Sequence, residues 1–115
     1  MVTVRLLRHT CMLLTAALSL ACGAPIGNDS PFIGGSCEKD RDCEYECAKG
    51  GDFPDGTCTV SCEEDRDCPG GTYCVDKDGG VCLLACGVDE DCRSDYSCKD
   101  TKREGHKGDA AVCIH

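Results

Sequence analysis

Apolar residues are crowded at one end of this chain. Cys11 to Leu20 is a short apolar run, with Arg5 and Arg8 before it and the small residue Ala21 after it. Beyond residue 36 apolar positions become sparse. Only nine aliphatic or Phe side chains occur from Cys37 onward: Phe53, Val60, Val75, Val81, Leu83, Leu84, Val88, Val112 and Ile114. The clearest element they predict is a β-hairpin. Thr72-Tyr73-Cys74-Val75 and Val81-Cys82-Leu83-Leu84 flank a five-residue loop containing Gly79 and Gly80. Asp55-Gly56 and Asp78-Gly79 are turn dipeptides. Ser61 followed by Glu64 has the spacing of a capping box, which predicts one helical or 3₁₀ turn between Cys62 and Asp67.

The strongest pattern is the frame C-x-x-D-x-D-C, which occurs three times. The copies are Cys37 to Cys43 with Asp40 and Asp42, Cys62 to Cys68 with Asp65 and Asp67, and Cys86 to Cys92 with Asp89 and Asp91. Their first cysteines stand 25 and 24 residues apart. Two further cysteines follow each frame: Cys47 and Cys58, Cys74 and Cys82, Cys98 and Cys113. A tyrosine lies just before the third cysteine of each unit, at Tyr45, Tyr73 and Tyr96. A repeat of this period is a unit that cannot bury a core by itself. The chain therefore divides into a leader (1–21), a Gly/Pro/Ser-rich tether (22–36) and three cysteine-rich modules (37–61, 62–85 and 86–115). Within the tether, Phe32-Ile33 is an apolar spot expected to dock on the first module.

Composition explains why cysteine dominates. Nine apolar side chains, at roughly 1.5–3 kcal/mol each when buried, cannot offset about 1–2 kcal/mol of backbone ordering per residue over some eighty residues. Fourteen cysteines in 115 residues signal a small disulfide scaffold with short hairpins, turns and little regular structure. Disulfides of this density imply export to an oxidising compartment. All 21 acidic residues follow Cys22, against ten basic ones, a formal charge of −11. That balance argues against a nucleic-acid partner, which requires clustered Lys and Arg.

Residues 1–21 have the positive start, apolar run and small closing residues of a secretory signal peptide, and the run is too short to span a bilayer. Leu18-Ser19-Leu20-Ala21-Cys22 resembles the lipobox of bacterial lipoproteins, with Ser19 where Leu is commoner. That resemblance implies cleavage before Cys22, acyl chains on Cys22, and anchoring to the bacterial cell envelope as an outer-membrane or cell-surface lipoprotein. Free secretion is the alternative. Cysteine parity agrees with acylation: Cys11 leaves with the leader, and once Cys22 is acylated twelve cysteines remain to pair.

Four cysteines allow three pairings per module, and spacing does not choose among them. The frame with its following G-x-C-x3-C resembles the cysteine-rich repeats of the Dickkopf N-terminal type. It is also similar to the later half of whey-acidic-protein domains. Module two carries it best, in Cys62, Asp65, Asp67, Cys68, Pro69-Gly70, Cys74, Gly80, Cys82 and Cys86. In both families the first and third cysteines of the frame pair. The resemblance thus implies an interleaved set: Cys37–Cys47, Cys43–Cys58, Cys62–Cys74, Cys68–Cys82, Cys86–Cys98 and Cys92–Cys113. Loops of this size are worth about 3 kcal/mol each in the chain-entropy view. The whey-acidic frame has adjacent cysteines where this chain has Cys74-Val75, and its protease-binding loop has no counterpart before Cys62.

The paired aspartates read as turn builders, because a short carboxylate can accept bonds from nearby backbone N–H groups. The competing reading is Ca²⁺ ligation, but Asp76-Lys77-Asp78-Gly79 fails the EF-hand spacing. Structural zinc is disfavoured, since no C-x2-C pair exists. Two loops exceed those of module two and are candidate binding loops. Ala48 to Thr57 carries Phe53, expected to be exposed. Lys99 to Val112 carries the only basic cluster, with Lys102, Arg103 and His106. A nucleophile needs an activating base held by a third group, and no such set is present. The expectation is therefore a non-catalytic binding or structural module without a cofactor or metal, its anchor the membrane and its protein partner unidentified. A protease inhibitor and a Ca²⁺-dependent adhesion unit are the alternatives.

Overall fold

The computed structural model describes residues 25–115, so the leader, Cys11 and Cys22 lie outside the described residues. Three antiparallel hairpins follow one another. They are β1 (Glu46–Ala48) with β2 (Thr57–Thr59), β3 (Thr72–Val75) with β4 (Val81–Leu84), and β5 (Ser97–Lys102) with β6 (Asp109–Ile114). One 3₁₀ turn precedes each hairpin, at Asp40–Asp42, Asp65–Asp67 and Asp89–Asp91. The chain is disulfide-rich with little other regular structure, the fold class that its composition implies.

Each module has the same construction. The third and fourth cysteines stand directly opposite each other on the hairpin: Cys47 and Cys58, Cys74 and Cys82, Cys98 and Cys113. Cross-strand neighbours project to the same face. They do not bond to each other. Instead they reach the two cysteines that bracket the 3₁₀ turn, giving Cys37–Cys47 and Cys43–Cys58, Cys62–Cys74 and Cys68–Cys82, Cys86–Cys98 and Cys92–Cys113. Two bridges thus clamp each turn onto its hairpin.

The turns differ from expectation in their capping. Ser61 and Glu64 do not form the anticipated box. Ser61 Oγ donates to Glu46 Oε1 at 2.7 Å, and Glu64 pairs with Arg66. The turn nevertheless forms in all three modules, including the third, which has neither residue. The aspartates build it, as described below.

The modules are not beads on a string. Six of the nine apolar side chains are buried, and Phe53, Val75, Val81, Leu83, Val112 and Ile114 join one cluster drawn from all three modules. Backbone bonds reinforce it. Cys82 N–H donates to Val60 O at 3.0 Å and Cys86 N–H to Ala111 O at 3.1 Å, so each exit strand lies along the next hairpin.

The segment read as a tether is folded from residue 25 onward. Gly34 N–H donates to Cys58 O and Cys58 N–H to Gly35 O, at 2.9 and 2.8 Å, which ties Gly34 and Gly35 to β2. Ile33 is fully buried against Cys62, Cys74 and Cys82 of module two, beyond the module it was expected to meet. Gly34 and Gly35 mark tight packing here, not slackness: a Cβ on Gly34 would come within 2.2 Å of Gly27 O, and one on Gly35 within 2.5 Å of Ser30 O.

Candidate functional site

The frame aspartates repeat in role as well as in sequence. In each module the first Asp accepts the N–H of the third cysteine on Oδ1. Asp40 serves Cys47, Asp65 serves Cys74 and Asp89 serves Cys98, all at 2.9 Å. The second Asp turns one oxygen back on two N–H groups. Asp42 takes Glu38 and Lys39, Asp67 takes Glu63 and Glu64, and Asp91 takes Gly87 and Val88, at 2.8–3.2 Å. The bonds from Glu38 and Lys39 hold the Asp42 carboxyl below its ordinary value. Those from Gly87 and Val88 do the same for Asp91. These oxygens are occupied by backbone, and their arrangement orients each turn toward its hairpin.

The paired bridges bring sulfurs together. Cys37, Cys43 and Cys47 have Sγ atoms within 4.8 Å of one another, as do Cys62, Cys68 and Cys82, and Cys86, Cys92 and Cys113. Each sulfur is spent in a bridge, whereas a metal takes a thiolate.

The candidate loop residues do not converge. Phe53, expected to be exposed, is 2 % exposed. Its loop is a contact between modules one and three: His115 N–H donates to Asp52 O at 3.0 Å, and Tyr96 OH to Pro54 O at 2.9 Å. The basic cluster is dispersed along the β5–β6 hairpin. Arg103 leaves it altogether to pair with Asp65 of module two, its guanidinium 5.5 Å from the centre of the Tyr73 ring. Lys102 lies 3.6 Å from Asp76, and His106 sits exposed with Nδ1 3.0 Å from Lys107 O.

A shallow groove does form where the Phe53 loop, the module-two loop and β5 meet. It is lined by Asp52, Asp76, Lys77, Lys99, Lys102 and His115. Its cations are largely answered by carboxylates, with Lys77 3.3 Å from Asp52. Nearby, the Asp76 carboxylate accepts a hydrogen bond from the protonated Glu104 carboxyl, and this bond together with the Asp76 charge pushes the Glu104 carboxyl up. The hydroxyl in its lining, Thr101 Oγ1, donates to Lys99 O at 3.1 Å.

The three tyrosines separate into two environments. Tyr96 is buried beneath Arg93, whose guanidinium lies 4.4 Å from the ring centre and donates to Gly56 O at 2.6 Å. Burial pushes its phenol up, with the Arg93 charge opposing. Tyr73 carries Arg103. Tyr45 is 59 % exposed, and its ring packs against Phe32 at 5.5 Å with a 55° tilt. A backbone bond from Glu44 N–H to Pro31 O, 2.7 Å, holds the two aromatics side by side. Among the described residues no guanidinium lies over Tyr45. The repeat of tyrosines announced these positions, but which ring is left open depends on the arginines of other elements.

No family model matches this chain, and no curated protein and no solved structure matches it.

Proposed function

We infer that this protein is a lipid-anchored, non-catalytic binding or structural module of the bacterial cell envelope. Its disulfide density fits an exported protein. The observation that carries the anchor is how the cysteines are consumed. The six bridges use all twelve cysteines from Cys37 to Cys113, so Cys22 meets no bridging partner among them. Once the signal-like leader is removed with Cys11, Cys22 next to Ala21 is left as the odd cysteine, the residue that acylation would consume. Several acyl chains on one residue meet the requirement that stable anchoring needs more than one chain.

The absence of a catalytic role is supported by the disposition of the candidate chemistry. The described cysteines are bridged, His106 rests on a backbone carbonyl, and Lys77 and Lys102 of the groove face carboxylates. A rigid stapled frame that exposes chosen side chains is suited to binding. Its likeness to Dickkopf-type and whey-acidic repeats supports the module construction and not a particular activity.

Intact mass of the exported protein tests the anchor. The expected chain begins at Cys22 and carries the mass of several acyl groups. It enters the detergent phase on partitioning, and Cys22→Ala abolishes that acyl mass. A chain beginning elsewhere, or one with no added mass, sinks the anchor.

A further inference from the structure

We propose that the exposed Tyr45–Phe32 face of module one is a docking site for an arginine side chain on a basic segment of a partner protein. The proposal deepens the binding-module reading and rests on it, but not on the acylation of Cys22.

The molecule itself supplies the precedent. It places an arginine on a tyrosine twice, and both times at a junction between modules. Arg93 covers Tyr96 where module three meets the Gly56 turn of module one. Arg103 of module three covers Tyr73 and pairs with Asp65 of module two. Tyr45 stands two residues before Cys47, as Tyr96 stands two before Cys98. It is the most exposed of the large hydrophobic side chains described, and among the described residues no guanidinium lies over its ring.

Three further features select the occupant. The first is charge. Residues 38–46 hold five carboxylates, among them Glu44 and Glu46 on either side of Tyr45, against Lys39 and Arg41. A phosphate or acidic partner would be repelled there, and a cation attracted. The second is shape. A planar guanidinium stacks on an aromatic face and forks to carboxylates, which favours arginine over lysine. The third is rigidity. The Phe32 edge, the Glu44–Pro31 backbone bond and the Cys37–Cys47 bridge hold the ring in place before anything binds. A site that is already ordered loses less entropy on association.

The test uses the full oxidised chain and a nine-residue peptide of alternating Gly and Arg, followed by the ring resonances of the three tyrosines. Tyr45 is expected to shift on titration while Tyr73 and Tyr96 stay still. Tyr45→Leu should weaken binding about two- to fivefold, the range of an exposed cation–π contact, and Tyr45→Phe should retain it. A disulfide map showing all six bridges establishes that each variant is folded. Equal affinity of Tyr45→Leu and the natural chain would mean attraction to net charge only, and would overturn the site. Tyr45 shifts that grow with protein concentration in the absence of peptide would assign the face to a second copy of the chain, and would overturn a separate partner. An acylated Cys22 together with a silent titration removes this site and leaves the anchor standing. Absence of acylation leaves the titration unaffected.

Discussion

Asp42 and Asp91 each hold two backbone N–H groups on one exposed carboxylate oxygen. Their folded-state carboxyls therefore titrate below the ordinary value of 3.8. The contribution to stability is fully present above that value and is lost as pH falls through the lower, folded-state one. The amide resonances of Glu38, Lys39, Gly87 and Val88 should follow these titrations, with midpoints below 3.8. Asp91→Asn should abolish the acid-range movement at Gly87 and Val88. Midpoints at or above 3.8 would show that the amides are not bound to ionised carboxylates. At this scale the sequence is instructive but incomplete. The repeat of Asp at two fixed offsets marks the turn. That the first Asp reaches a cysteine N–H seven or nine residues away depends on how the hairpin folds back over it.

Hairpins and turns were the most legible elements. The expected strands of module two coincide with β3 and β4. Their loop closes through Asp78 and Gly79, both with positive φ, and Gly80 N–H donates to Lys77 O at 2.8 Å. Gly80 has a further duty. Its carbonyl accepts the Cys62 N–H, and a Cβ there would lie 2.1 Å from Cys62 O. Gly79 has nothing within 4 Å of such a Cβ. Both sites have left-handed φ, so Gly79→Ala should cost on the order of 1 kcal/mol from backbone strain alone. Gly80→Ala should cost several times more, because backbone must move against backbone beside the Cys62–Cys74 bridge. Chemical denaturation of the two oxidised variants tests this. Equal costs would mean that the close approach is relieved at no expense.

At the scale of the whole molecule, Phe53 carries the largest consequence. The sequence shows it in a Gly- and Asp-rich loop and predicts exposure. The structure buries it, with Tyr96, Ile114 and other residues of the shared core, because module three supplies the surface that the loop lacks. Phe53→Ala should cost about 3–5 kcal/mol, the range for deleting a buried aromatic ring. Val88→Ala, at a side chain 54 % exposed, should change stability by less than about 0.5 kcal/mol. Denaturant unfolding of both variants with bridges intact provides the comparison. Similar, small effects would show that the modules do not depend on one another through Phe53.

The sequence by itself determined the unit: three frames, twelve cysteines after residue 36, tight turns, short hairpins and an acidic surface. These are properties of near neighbours, set by fixed offsets, covalent reach and the few hydrogen bonds a short carboxylate can make. Only the tertiary structure decided how the units unite. Ile33 enters the sulfur-lined core of module two, Arg103 crosses to Asp65, and Tyr96 reaches Pro54 across 42 residues of sequence. An isolated Ile, Phe or Arg in a loop has no periodicity that names its partner. Its burial depends on a surface that another module provides, and that surface exists only once the bridges have shaped it.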